Sequence, residues 1–195
     1  MGDRRAGGLI MTTIDEFFDA CLGKWSIERT YHYLGDAEGR VERSHTNYDI
    51  RPLTTDRQHK VLADNERPTD APEPLYGFYL AFDTVSDRGE KVAMDLNILF
   101  VPTQIEEGGF LEGDYLRDRA YEEARPMVSH FRYDPERAEL RMTTRYTRVV
   151  SVDSITLVQP DLRIRQIQNF RRPQFDSLPL RELELVGFGV EKKVS

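Results

Sequence analysis

Apolar residues first recur at three- and four-residue intervals, in Ile14, Phe17, Phe18, Cys21 and Leu22. That spacing gathers them on one stripe of a short helix that needs an apolar surface to cover. Thr12 or Thr13 can cap its start, and Gly23 can end it. After Gly23 the period shortens from about 3.6 to 2, beginning in Trp25-Ser26-Ile27-Glu28-Arg29-Thr30-Tyr31. Alternation then runs through most of the chain and predicts strands over about 25–34, 41–51, 57–63, 76–83, 93–101, 109–117, 124–133, 138–149, 152–159, 162–171 and 180–191.

Turn chemistry separates these segments at Gly35–Gly39, Asp87–Glu90, Asp134–Arg137 and Gln159–Asp161, so sequential hairpins follow. Asp64 to Pro74 is acidic, proline-punctuated and almost without apolar residues, which reads as a solvated loop; Pro173 to Pro179 is a second irregular stretch. No internal repeat is evident. About ten short antiparallel strands with one amphipathic helix can form a two-sheet sandwich or a closed barrel, and closure removes unpaired edges. The expected fold is all-β: an antiparallel barrel of about ten strands with an N-terminal α-helix, wide enough for a small ligand, leads over a filled sandwich, although composition does not separate the two. Residues 1–11 read as a disordered head and 12–195 as a single domain.

Thirty-four acids against 27 bases give a net charge of −7, which disfavours nonspecific binding to nucleic acid or to an anionic membrane surface. No apolar run approaches the roughly 20 residues of a transmembrane helix. The start has no apolar signal core, so a cytoplasmic location is expected. Cys21, the single cysteine, excludes an intramolecular disulfide and lies on the helix stripe as a buried thiol. His32, His45, His59 and His130 have no short metal-binding spacing, so no metal site is expected.

The densest chemistry lies in Leu162 to Arg172. Alternation puts Arg163, Arg165, Ile167 and Asn169 on one face, with Leu162, Ile164, Gln166, Gln168 and Phe170 opposite. Either the arginines are solvated outside, or they enter a cavity where their donor forks hold the carboxylates of an acidic ligand. Arg29 shares a face with Trp25, Ile27 and Tyr31 and can add a third positive group. Asp153 sits either in a surface turn or inside the cavity as a negative or proton-exchanging group.

The order of particular residues adds to this. Phe17-Phe18 with Cys21, Gly23-Lys24-Trp25, Arg29-Thr30-Tyr31-His32, Gly113-Asp114-Tyr115-Leu116-Arg117-Asp118 with Tyr121-Glu122-Glu123, and Pro160-Asp161-Leu162-Arg163-Ile164-Arg165 resemble S-type phycobiliprotein lyases over roughly residues 14–191. The resemblance implies a lipocalin-like or fatty-acid-binding-protein-like β-barrel, with an N-terminal helix by one end, that binds an open-chain tetrapyrrole (bilin), such as phycocyanobilin or phycoerythrobilin. It also implies transfer of the bilin, as a substrate with no tightly bound cofactor, to a cysteine of a phycobiliprotein alpha or beta subunit. By position, the family's arginines look like Arg29, Arg163 and Arg165, and its acidic residue looks like Asp153, a candidate for the catalytic role. On that reading Arg163 and Arg165 anchor the bilin propionates and Arg29 assists at the cavity mouth.

A homodimer, or a heterodimer with a related subunit, is a further expectation. The chain departs from the pattern at Ser154-Ile155-Thr156-Leu157, where aromatic support is weaker, and at Gln166-Ile167, where a hydroxyl is lost. Those departures bear on the choice of bilin and partner. A noncatalytic bilin or fatty-acid carrier, an accessory lyase subunit, and a filled structural sandwich are the competing expectations.

Overall fold

The computed structural model describes residues 12–35, 39–70, 75–105, 109–119 and 125–194. The expected head at 1–11 and Tyr121-Glu122-Glu123 lie outside the described residues. Helix α1, Ile14–Cys21, begins with a reciprocal cap: Thr13 Oγ1 accepts from the Glu16 amide at 3.2 Å, and the Thr13 amide donates to Glu16 Oε2 at 2.9 Å. Thr13 rather than Thr12 is therefore the cap. Gly23 opens the next strand at φ +111°, a conformation only glycine adopts without strain.

Among the described residues ten strands follow: β1 (Gly23–Tyr33), β2 (Val41–Pro52), β3 (Tyr76–Ser86), β4 (Lys91–Ile105), β5 (Leu111–Arg117), β6 (Met127–Asp134), β7 (Glu139–Arg145), β8 (Val149–Gln159), β9 (Leu162–Arg171) and β10 (Leu183–Val194). Each pairs antiparallel with its sequence neighbours, and β1 pairs with both β2 and β10, which closes the barrel. The expected barrel is borne out, and the filled sandwich is not. Two segment expectations need correction. Residues 57–63 belong to helix α2, Thr55–Asp64, and the segment expected over 138–149 is broken around Tyr146–Arg148 into β7 and the start of β8.

Helix α1 closes one barrel end. Phe17 and Phe18 are buried, Phe17 against Tyr133 with ring centres 5.2 Å apart and Phe18 against Phe100 at 5.0 Å. Each buried ring contributes roughly 1.5–3 kcal/mol. Helix α2 lies outside the wall, where Val61 and Leu62 cover Leu53, Leu99 and Leu116. The two helices thus use outward and end-facing apolar residues, and much of the barrel interior remains for a ligand.

Candidate functional site

The barrel encloses a cavity of about 410 Å³, within the range of small-ligand sites. It runs from the floor under α1 toward the opposite end, where Tyr33, Glu42, Ser86, Glu90 and Leu185 line it. Its aromatic and aliphatic lining comes mainly from β2, β3 and β4, and most of its charged lining from Arg29 on β1, Arg117 on β5, Asp153 on β8 and Arg163 and Arg165 on β9.

Strand register explains why the charges converge. Arg29 on β1 lies opposite Gly189 on β10, which lies opposite Arg165 on β9. A residue without a side chain therefore separates two inward guanidinium groups, and a Cβ at Gly189 would sit 3.3 Å from Arg29 Cγ and 3.7 Å from Arg165 Cβ. One row nearer the floor, Ile27 is opposite Glu191, and Glu191 is opposite Arg163. One row nearer the mouth, Gly187, Ile167 and Asp153 follow.

Glu191 joins this cluster. It is fully buried, it pairs with Arg163 Nε, and its Oε1 lies 3.1 Å from Arg165 Nε and 3.8 Å from Arg29 Nη2. Arg165 Nη1 donates to Asp153 Oδ2 at 3.0 Å. Arg29 donates to Tyr48 Oη and, at 3.5 Å, to Tyr31 Oη. Beneath them the Arg163 guanidinium lies 4.1 Å from the centre of the Trp25 ring, and Trp25 Nε1 donates to the Cys21 carbonyl at 2.9 Å. The end-closing helix is thus fastened to the charged cluster through one aromatic ring.

These contacts set the ionisation. Burial raises Glu191, but Arg163, Arg165 and Arg29 outweigh it and hold the carboxyl below the ordinary glutamate range. Asp153 goes the other way: burial pushes it up, and Arg165 and Arg29 pull it only partly back. Burial lowers Arg165, but Asp153, Tyr48 and Glu191 more than offset this and keep it firmly charged. Burial pushes the Cys21 thiol up as well, as expected of an inert core residue.

Three guanidinium groups therefore face two carboxylates, leaving one positive charge in excess with both acids ionised and two with Asp153 protonated. Arg29 Nε, Arg163 Nη2 and Asp153 Oδ1 are buried without a protein hydrogen-bond partner. Buried polar atoms of this kind call for a ligand or solvent partner. The chemistry suits a carboxylate-bearing ligand with an extended apolar body.

The structure brings together all four residues expected from sequence: Arg29, Arg163, Arg165 and Asp153. Arg163 lies deepest, held by Glu191 and Trp25, while Arg165, Arg29 and Asp153 stand nearer the open part of the cavity. Sequence reasoning missed Glu191, Tyr48 and Arg117. The last of these is a buried cation on β5 that donates to Tyr146 Oη at 3.1 Å beside the Tyr115 ring. Glu191 shares parity with Gly187 and Gly189, but a face made of two glycines and an acid does not look like an interior. Among the described residues no cluster of His, Cys, Asp and Glu could hold a metal ion.

A closed antiparallel barrel with a cationic cluster beside its cavity has the architecture of a small-ligand-binding barrel. The comparisons narrow that class. The chain belongs to the CpeS-like protein family, whose model matches residues 13–194. It is 56% identical over 179 residues to chromophore lyase CpcS/CpeS 1 of Synechococcus sp. (strain JA-3-3Ab), covering 92% of this chain and 95% of the relative. Chromophore lyase CpcS/CpeS of Thermosynechococcus vestitus is 25% identical over 152 residues, covering 78% and 81%. The structure of the S-type phycobiliprotein lyase CPES from Guillardia theta matches with a TM-score of 0.73 at 17% identity, over 94% of each chain, and confirms the fold.

Proposed function

We propose that the chain is a chromophore lyase that takes a bilin into the barrel and promotes its thioether attachment to a cysteine of a phycobiliprotein subunit. The observation that carries this reading is the buried excess of positive charge beside a cavity of about 410 Å³. A bilin has two propionates on a long conjugated body, so it supplies the negative charge this cluster lacks and the apolar surface the β2–β4 wall accepts. Arg165 and Arg29 present donors to the propionates. Arg163 contributes through its remaining Nη2 and, with Glu191, keeps Arg165 in place.

The reaction adds the acceptor's S–H across the exocyclic double bond of the ethylidene group. A C–S bond and a C–H bond form, the π bond is consumed, and nothing is oxidised or released. No redox cofactor is needed. The protein's part is to hold the flexible bilin extended with its electrophilic carbon toward the mouth. Asp153, whose affinity for protons is raised, faces the pyrrole nitrogens. From there it donates to the bilin or stabilises its protonated form, which makes the conjugated system a better acceptor of the thiolate. Attachment would take place where phycobiliproteins are made, in the cytoplasm of a cyanobacterium or the plastid stroma of an alga.

Mixing protein, bilin and apo-phycobiliprotein tests this reading. A coloured adduct that survives denaturation should form faster and in higher yield than without the protein. Bilin binding with no gain over spontaneous addition would instead mark a carrier.

A further inference from the structure

The exposed large apolar side chains of the described residues are spread unevenly over the barrel. Leu34 follows β1, Val41 opens β2, Val85 is penultimate in β3, Val128 is second in β6, and Phe175 and Leu178 lie in the loop from β9 to β10. All six stand at the mouth end, where Tyr33, Ser86 and Leu185 line the cavity. The floor end, closed by α1, has only Val158 and Val194, and the side wall has Phe188. Single apolar residues scattered on a surface need no explanation, but a set gathered around one opening marks an interaction site.

Phe175, 61% exposed, is the barest of these side chains, yet its loop is tied down. The Arg171 amide donates to the Glu182 carbonyl and the Arg172 amide to the Arg148 carbonyl, both at 2.8 Å. Arg172 Nη1 donates to the Tyr146 carbonyl at 2.9 Å, and its Nη2 pairs with Asp176 at 3.1 Å. The Leu178 amide donates to the Phe175 carbonyl at 3.0 Å, which closes a turn between the two apolar residues. A ring held on a fixed loop loses less freedom when a partner covers it. Beside this loop Arg145, Arg148 and Arg181 are exposed and make no ion pair among the described residues. This side of the rim is therefore both apolar and positive, in a chain whose net charge is −7.

We infer that this rim is the docking surface for the acceptor subunit, with Phe175 and Leu178 as its apolar anchor and Arg145, Arg148 and Arg181 meeting acidic side chains around the accepting cysteine. The inference rests on the lyase reading. Helix α1 closes the floor, so the thiol reaches the bilin through the mouth, and a protein that brings it there has to cover the rim. A second copy of this chain seated on the same rim would shut that route. An exposed aromatic at the centre of such a contact carries a large share of the binding energy, and the surrounding charges govern the rate of encounter.

Two assays on the full chain test the inference: binding of an apo-phycobiliprotein subunit without bilin, by calorimetry, and bilin transfer at varied acceptor concentration. Phe175→Asp and Leu178→Asp should each raise the acceptor's Kd and KM about tenfold or more, with kcat and bilin affinity little changed. Arg148→Glu should slow association and flatten its salt dependence. Val194→Asp, equally exposed but at the floor end, should leave both assays unchanged. Circular dichroism and the bilin absorbance change confirm that each variant keeps the barrel and its ligand site; if Phe175→Asp misfolds, Leu178→Asp decides. Acceptor binding that depends on Phe175 or Leu178, without any gain in transfer, would keep the docking surface and sink the lyase reading. Transfer by the parent protein with both rim variants indifferent would keep the lyase reading and overturn the docking surface. Rim variants that lose attachment to anionic phospholipid vesicles but not acceptor binding would also overturn it, in favour of a lipid surface.

Discussion

Replacing Glu191 by Gln keeps the side chain's shape and removes its charge. The substitution leaves Arg163, only 1% exposed, without its carboxylate, and takes from Arg165 and Arg29 the acid they share. Breaking a buried ion pair by removing one partner costs about 3–5 kcal/mol, because the remaining charge cannot regain water. For a domain of this size 1 kcal/mol moves Tm by about 2–4 °C, so the variant should melt about 6–20 °C lower. Calorimetry or circular-dichroism melts at neutral pH measure the shift. Saturating bilin should recover part of it, since propionates supply negative charge at the same place, and the ligand-induced rise in Tm should therefore be larger in Glu191→Gln than in the parent protein. A melting point within about 2 °C of the parent would show that the three arginines do not depend on Glu191 and would refute the cluster as the organiser of the cavity wall.

Other outcomes follow from the same geometry. Arg165→Met should weaken bilin binding about tenfold or more by absorbance titration, since a hydrogen bond to a charged group contributes about 1.5–3 kcal/mol; unchanged affinity would remove Arg165 from propionate recognition. Asp153→Asn should change the bound bilin's spectrum and slow transfer while stability at neutral pH holds, and equal spectra with equal transfer rates would dismiss its proton role. The two acids also tilt the pH dependence of stability in opposite senses. Glu191 is depressed, so its stabilisation is present above the ordinary glutamate range and is lost as pH falls through its folded value; Asp153 is raised, so its ionisation costs stability as pH climbs from the ordinary aspartate range through its folded value. Melts across acid to neutral pH should accordingly lose the first limb in Glu191→Gln and the second in Asp153→Asn. Gly187→Ala should cost about 1–3 kcal/mol in urea unfolding, because its Cβ would lie 2.8 Å from the Tyr31 ring; a neutral result would mean Tyr31 moves freely.

Period-two alternation made most of the barrel legible, and it sorted β9 correctly: Arg163, Arg165, Ile167 and Asn169 do share the inner face. It could not say that this face was the inside, because neither side of β9 is cleanly apolar. Helix α2 was missed for a related reason. Its two core residues, Val61 and Leu62, are adjacent rather than spaced by a turn, and its cap residue Thr54 makes no side-chain hydrogen bond, so the helix is held by Leu53, Leu99 and Leu116 across the wall. Glu191 was illegible because its significance comes from register. Only strand pairing shows that it lies opposite Arg163 and one row below two arginines separated by a glycine.

The central claim is that buried guanidinium groups hold the carboxylates of a bilin inside the barrel. Titrating the protein with a free-acid bilin and with its dimethyl ester, and following the absorbance of each, tests it most directly. The free acid should bind at least about tenfold more tightly, and Arg165→Met should erase much of the difference. Equal affinity for acid and ester would mean that the cluster serves only the fold and that the ligand is held by other means.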